Sequence, residues 1–227
     1  NDGKNIKARE GMHLGALIAG MGFSNVGVGA VHALEYPIGG AVHCSHGCGN
    51  GLLLPYVMKF NKPVRLEALA RLAELMGVNV EGLTQEEKAD AAINKVRTLR
   101  KEIGMLFQGG ALFDYMSVQE NIMFPLNMFA EKSEEENLER VNFCLNRVNL
   151  ENTNHLLPSE LSGGMKKRVA IARAIAMNPK YLLCDEPNSG LDPKTAILID
   201  NLIQEITQEY NITTIVNSHD MNSVMEI

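Results

Sequence analysis

The chain has 227 residues, a net charge of -6 and an apolar fraction of 45%. That length accommodates one large domain or two small ones, and the apolar share is ample for a core. The acidic balance excludes a dedicated nucleic-acid binder with a basic face, and no apolar run reaches the roughly 18 residues that span a bilayer.

Taken in order, residues 6–23 read as a helix rich in Gly, Ala and Met, whose small residues permit close packing. Residues 27–34 read as a second, stopped by Tyr36-Pro37-Ile38-Gly39-Gly40, because proline disfavours α geometry in the residue before it. Residues 46–60 read as a third helix despite Pro55. Residues 64–76 carry Leu66, Leu69, Ala70, Leu72, Ala73 and Met76 at helical spacing, with Gly77 as the stop. Thr84-Gln85-Glu86-Glu87 is a capping box that opens a helix to about residue 100. No strand pattern appears in this half, so an all-α fragment is expected over residues 1–100.

Residues 103–108 then read as a short strand running into a Gly109-Gly110 loop. Ser117-Val118-Gln119-Glu120 caps a helix kinked by Pro125. Residues 133–148 form an amphipathic helix with the stripe Leu138, Val141, Cys144, Leu145 and Val148. A helix over 162–177, a buried strand over 180–184, a helix over 193–210 and a strand over 213–217 complete the pattern. Helices alternating with strands imply an incomplete parallel sheet, and hence an α/β fragment over residues 101–227. The four cysteines (Cys44, Cys48, Cys144 and Cys184) are too scattered for a disulfide framework, which points to a reducing cytoplasm. No signal-peptide pattern opens the chain, and its start at Asn1 and end at Ile227 read as truncations.

Two groups of residues carry chemistry in the first half. His32 at one helix end and His46 at the next helix start, with a Pro-Gly-Gly reversal between them, are either two metal ligands or two satisfied core histidines. His43, Cys44, His46 and Cys48 suggest a small structural zinc site, at a spacing that fits no standard finger. The run from Asp2 to Asn61, with AGMGFSNVGVGAVHAL, YPIGG and HGCGNGLLLPYVMKFN, resembles the C-terminal helical domain of iron-containing (group III) alcohol dehydrogenases. That resemblance implies His32 and His46 as two of four ligands to iron or zinc, and NAD(P) as cofactor. The other two ligands and the nucleotide-binding domain of that family have no counterpart in this sequence. The family often has a further histidine where Tyr36 stands.

In the second half, Leu161-Ser162-Gly163-Gly164-Met165, then Tyr181-Leu182-Leu183-Cys184-Asp185-Glu186-Pro187, then Ser189-Gly190-Leu191-Asp192 resemble the signature motif, Walker B strand and D-loop of ABC-type ATPases. Glycines at a helix N-terminus let backbone amides and the helix dipole meet a phosphate. The resemblance implies that Ser162, Gly163 and Gly164 complete the ATP site of an opposing subunit, and that Asp185 holds magnesium through water. Glu186 is then the general base, and Asp192 couples the two sites of a dimer. By the same resemblance Gln108 is the Q-loop glutamine and His219 the γ-phosphate switch. It also implies ATP and Mg2+ as ligands, a homodimer, a transmembrane permease partner and a place on the cytoplasmic face of the inner membrane. The run Phe107 to Asp114 with the LSGGM word looks most like ATPases of lipid-trafficking transporters. A P-loop, Gly-x-x-x-x-Gly-Lys-Ser/Thr, is missing from the sequence, whose one Gly-Lys pair is Gly3-Lys4 followed by Asn5. Leu99-Arg100-Lys101-Glu102-Ile103-Gly104 satisfies both families, so the expectation is a chimera joined at that word, with neither site complete. A sheet without its first strands is expected to leave an unpaired, aggregation-prone edge.

Overall fold

The computed structural model of the chain describes residues 5–26, 29–42 and 46–218. It divides into two units, Asn1–Arg100 and Lys101–Ile227.

Among the described residues of the first unit, the elements are helices α1 (Ile6–Val26), α2 (Ala30–Val42), α3 (His46–Asn61) and α4 (Leu66–Leu75), with a 3-10 turn at Lys62–Val64. Helix α5 (Gln85–Glu102) crosses the unit boundary in its last turn. Helix α2 corrects the sequence reading, since it continues through Pro37 to Val42 instead of stopping at Tyr36. Close packing on α3 explains this. Glu35 is 2% exposed, and a Cβ on Gly49 of α3 would lie 2.6 Å from its Cγ. Contact of that kind overrides the local penalty of one proline. Helix α5 opens as its capping box requires. The Thr84 N–H donates to Glu87 Oε2 at 2.8 Å, and the Glu87 N–H donates to Thr84 Oγ1 at 3.3 Å. Met58, Leu69, Ala89 and Ile93 form a small core, whereas Leu14, Leu17, Ile18 and Met21 of α1 are exposed.

The second unit is a small parallel sheet with helices packed on it. Strand β1 (Ile103–Leu106) ends two residues before Gln108, shorter than its apolar run suggests. Helices α6 (Val118–Phe129), α7 (Glu134–Arg147) and α8 (Gly163–Ile175) follow, then β2 (Tyr181–Asp185), α9 (Pro193–Glu209) and β3 (Thr213–Asn217). The strand order is β1-β2-β3, all parallel, with Ile103 opposite Tyr181 and Tyr181 opposite Thr213. β2 is therefore the middle strand, and Leu182 and Cys184 on it are buried. Within this sheet β3 is an edge strand, and its Ile215 is 41% exposed.

Ile122 of α6, Val141 of α7, Ile171 of α8 and Ile203 of α9 join Leu106 and Leu182 in one core. On α7 the buried stripe is Asn137, Val141, Cys144 and Leu145, with the cap residue Val148 beside it. Leu138, expected in that stripe, is 36% exposed. It sits about 100° round the helix from Asn137, which takes the core-facing position.

Gly104 in β1 is there for want of a side chain. A Cβ at this position would lie 2.3 Å from the Ala174 carbonyl oxygen near the end of α8. Replacing it with alanine forces α8 away from the sheet, an overpacking cost of about 1–3 kcal/mol. Gly104→Ala should therefore lower the melting temperature of the chain by several degrees in a thermal scan, with no loss of helix signal at low temperature.

Both α6 and α7 begin with reciprocal capping boxes, Ser117 with Glu120 and Ser133 with Glu136. The backbone N–H of each serine, and then its hydroxyl, hold the partner glutamate below its ordinary pKa of 4.5. A depressed carboxylate pKa adds stability above the ordinary value, and that stability is lost as pH falls through the lowered one. Glu120→Gln and Glu136→Gln should thus weaken the fold at pH 7. Their denaturation midpoints should approach that of the parent chain as pH is lowered to about 3.

Candidate functional site

The site is the corner at the C-terminal ends of β2 and β3, where open parallel sheets usually hold ligands. In-register pairing sets Asp185 opposite Asn217. The Asn217 side-chain amide donates to Asp185 Oδ1 at 2.8 Å. The Glu186 N–H donates to the Asn217 carbonyl at 2.8 Å. Glu186 has a φ of +47°, in the left-handed region that non-glycine residues seldom occupy. Its carbonyl is held from the other side by Lys167 of α8, whose Nζ donates to it at 3.1 Å. Lys167 is 3% exposed. Burial lowers its pKa, while the charges of Glu186 and Asp185 raise it. Past Glu186 the turn is tied down by Asn188, whose amide donates to both carboxylate oxygens of Asp200 on α9, at 2.8 and 2.7 Å.

Ser162 is the N-cap of α8, and its hydroxyl accepts from the Met165 N–H at 3.3 Å. Ser162 and Gly163 are exposed. Asp192 is the N-cap of α9. It accepts from the Lys194 and Thr195 N–H groups at 3.1 Å and from the Thr195 hydroxyl at 2.6 Å. The Thr195 hydroxyl, and then its N–H, pull the Asp192 carboxyl below its ordinary value. The two helix starts approach each other. A Cβ on Gly163 would lie 3.6 Å from Leu191, and one on Gly164 only 2.7 Å from Thr195 Cγ2. The glycine at 164 is therefore demanded by packing against α9, whatever a phosphate asks of it.

Gln108 is exposed in the loop after β1. Leu106 pairs with Cys184, so this loop and Asp185 leave adjacent strands at the same end of the sheet. Three consecutive left-handed residues follow, with φ of +74° at Gly109, +82° at Gly110 and +45° at Ala111. Arg173 of α8 holds them by donating to the Ala111 and Gly110 carbonyls at 2.8 and 2.7 Å. The fully buried Asn121 of α6 closes the loop. It accepts from the Phe113 N–H and donates to the Phe113, Met116 and Ser117 carbonyls.

The structure thus brings Asp185, Glu186 and Lys167 together, and sets Ser162, Gly163 and Gly164 beside Asp192. His219 lies outside the described residues, as do His43 and Cys44, and the side chains of His46 and Cys48 are likewise undescribed. His32 is half-buried on α2. Among the described residues no three His, Cys, Asp or Glu side chains gather where a metal ion could be held. Lys167, Asn217, Arg173 and Asn121 carry no signal of their own in the sequence, where Lys167 reads as one of the basic run Lys166-Lys167-Arg168.

This small parallel sheet with its flanking helices is consistent with an ABC ATPase fragment. The chain is 42% identical over 166 residues to the methionine import ATP-binding protein MetN of Desulfitobacterium hafniense (strain Y51), covering 73% of this chain and 48% of that protein. It is 45% identical over 133 residues to MetN of Clostridium tetani (strain Massachusetts / E88), covering 59% and 42%. The chain spans about half the length of these relatives. Among solved structures, the dimeric post-hydrolysis state of the ATP-binding cassette MJ0796 bound to ADP and Pi superposes with a TM-score of 0.51 at 37% identity. The match covers 58% of each chain. CbiO1 from Clostridium perfringens, part of the ABC transporter complex cbiONQ, gives 0.51 at 37% identity, over 56% of this chain and 51% of that one. Residues 1–145 match the Fe-containing alcohol dehydrogenase family, C-terminal, and the chain belongs to that family. No helix among the described residues is long and apolar enough to cross a membrane.

The close approach at Gly164 gives a direct test. Gly164→Ala should destabilise the chain by about 1–3 kcal/mol, as overpacking does. Adding Thr195→Ser, which removes Cγ2 but keeps the hydroxyl on Asp192, should recover most of that loss in urea denaturation. Equal losses with and without Thr195→Ser would show that the contact with Thr195 is not the cause.

Proposed function

We propose that residues 101–227 are the ATP-binding and ATP-hydrolysing part of an ABC transporter subunit, of the kind that serves lipid trafficking. The observation that carries this reading is the Asp185-Glu186 corner, tied to α8 through Lys167 and facing the same end of the sheet as Gln108. The Asp185 carboxylate and the exposed Gln108 amide, at the same end of the sheet, are oxygen donors that suit a hard cation such as Mg2+, so the residues present fit that ion. Asp185 would hold it, and bound there it would neutralise phosphate charge. Glu186, fixed at its backbone on both sides, would take the proton of the attacking water as general base. Ser162, Gly163 and Gly164 would offer the N-terminal amides of α8 to the ATP phosphates of an opposing subunit. Gln108, Asp192 and His219 would sense the nucleotide, couple the two sites and contact the γ-phosphate. A homodimer on a transmembrane permease, at the cytoplasmic face of the membrane, is the assembly this reading requires.

The second reading rests on the match of residues 1–145 to the dehydrogenase family. Under it residues 1–100 derive from a metal-dependent, NAD(P)-linked alcohol dehydrogenase, with His32 and His46 as half of a ligand set. Half a set binds metal weakly, because affinity depends on ligand count and preformed geometry. The two readings meet at Leu99 to Gly104, and the unit boundary after Arg100 falls within that word. We read the chain as a chimera joined there, non-catalytic by itself. A single long sequencing read of source DNA across those codons decides whether the join is natural.

Without a P-loop, ATP lacks its main anchor in this chain. The purified chain should show no Mg2+-dependent phosphate release above buffer. Mixed with a cassette subunit that carries an intact P-loop, it should support hydrolysis that Ser162→Arg abolishes. Mg2+-dependent turnover by the chain alone would overturn the expectation that it is non-catalytic by itself.

A further inference from the structure

We propose that Lys167 is a built-in counter-ion of the Asp185-Glu186 corner, and that it keeps this corner a weak divalent-cation site until phosphate groups add negative charge. The inference rests on the reading of Asp185 as the metal-holding residue and goes beyond it.

Three observations carry it. First, Lys167 is 3% exposed and is followed on α8 by the buried run Val169, Ala170, Ile171 and Ala172. A buried ammonium is costly unless it is paired, so an apolar residue would serve packing alone better. Second, Nζ is aimed at the corner, donating to the Glu186 carbonyl at 3.1 Å, and the carboxylates of Glu186 and Asp185 act on its charge. Third, Glu186 is in a left-handed conformation with its N–H held by Asn217 and its carbonyl held by Lys167. The lysine therefore does two separable things: it fixes the main chain of Glu186, and it sets one positive charge at the turn that carries Asp185 and Glu186. The second effect opposes a divalent ion. A fixed unit charge several ångströms away, through a partly aqueous path, weakens binding of a doubly charged ion on the order of tenfold. Phosphate groups on a bound nucleotide would reverse the local balance, so cation and nucleotide would bind as a pair rather than the cation first.

The test uses the whole chain and Mn2+ alone, with binding followed by electron paramagnetic resonance at low ionic strength. Lys167→Gln keeps a donor for the Glu186 carbonyl and removes the charge, whereas Lys167→Arg keeps the charge. Lys167→Gln should bind Mn2+ about tenfold more tightly than the parent chain, and Lys167→Arg should bind as the parent does. The gap should shrink in salt as screening grows. Lys167→Met, which retains the stem and its packing, replaces the glutamine variant if that variant does not melt cooperatively. Asp185→Asn should weaken binding in every background. If Asp185→Asn weakens Mn2+ binding but the charge-removing variants bind no more tightly than the parent, the counter-ion proposal is wrong while the metal-holding reading stands. If Asp185→Asn changes nothing, the metal-holding reading fails and the proposal with it.

Discussion

The second unit depends on the parallel pairing of β2 with β3. Its register sets Asp185 against Asn217, and from that one alignment the corner follows. The Asn217 amide orients Asp185, and the Asn217 carbonyl fixes the Glu186 N–H. A slip of one residue would turn every side chain of β3 to the opposite face and remove both contacts. The middle strand is itself anchored by burial, since Leu182 and Cys184 on it are 1% and 2% exposed. Burial also makes Cys184 chemically quiet, since desolvation pushes its thiol up to about 12.

Helix α8 carries the corner's geometry to the rest of the unit. Ser162 caps its start, Lys167 reaches the β2 turn, and Arg173 holds the loop after β1. These contacts come from one rigid rod, so the loop, the acidic turn and the exposed helix start keep fixed relations to one another. Close approach at both ends secures the rod. Thr195 fills the space beside Gly164, and the Ala174 carbonyl fills the space beside Gly104. Glycine at these two points lets α8 lie against α9 and the sheet.

The second unit was the more legible part in the sequence. The capping box at Ser117, and strands close to Tyr181–Asp185 and over Thr213–Asn217, follow from local spacing, and local spacing is what a sequence displays. The course of α2 past Pro37 was not legible, because it depends on contact between Glu35 and a glycine on another helix. The same limit hid Lys167 and Asn217. A lysine in the second turn of an amphipathic helix reads as solvated until a strand end is placed against it. Gly164 shows a subtler limit. The motif marks it as a glycine for phosphate, while the structure shows that Thr195 alone would exclude a side chain there.

Residues 101–145 pose the sharpest question about organisation, since the dehydrogenase family match continues through them. Packing answers it. Val118 and Ile122 on α6, and Val141 and Leu145 on α7, are at most 1% exposed in one core with Val169, Ile171 and Leu182. Each buried aliphatic side chain contributes about 1.5–3 kcal/mol relative to exposure, so removing α6 and α7 from α8 would cost an amount comparable to the whole stability of an ordinary domain. Arg140 ties α7 further to the end of α8, donating to the Ile175 and Ala176 carbonyls at 2.8 and 2.9 Å. Whatever ancestry their sequence reflects, residues 101–145 fold with the sheet. A boundary drawn from sequence likeness at residue 145 would cut through the middle of a core, whereas the one after Arg100 leaves that core whole.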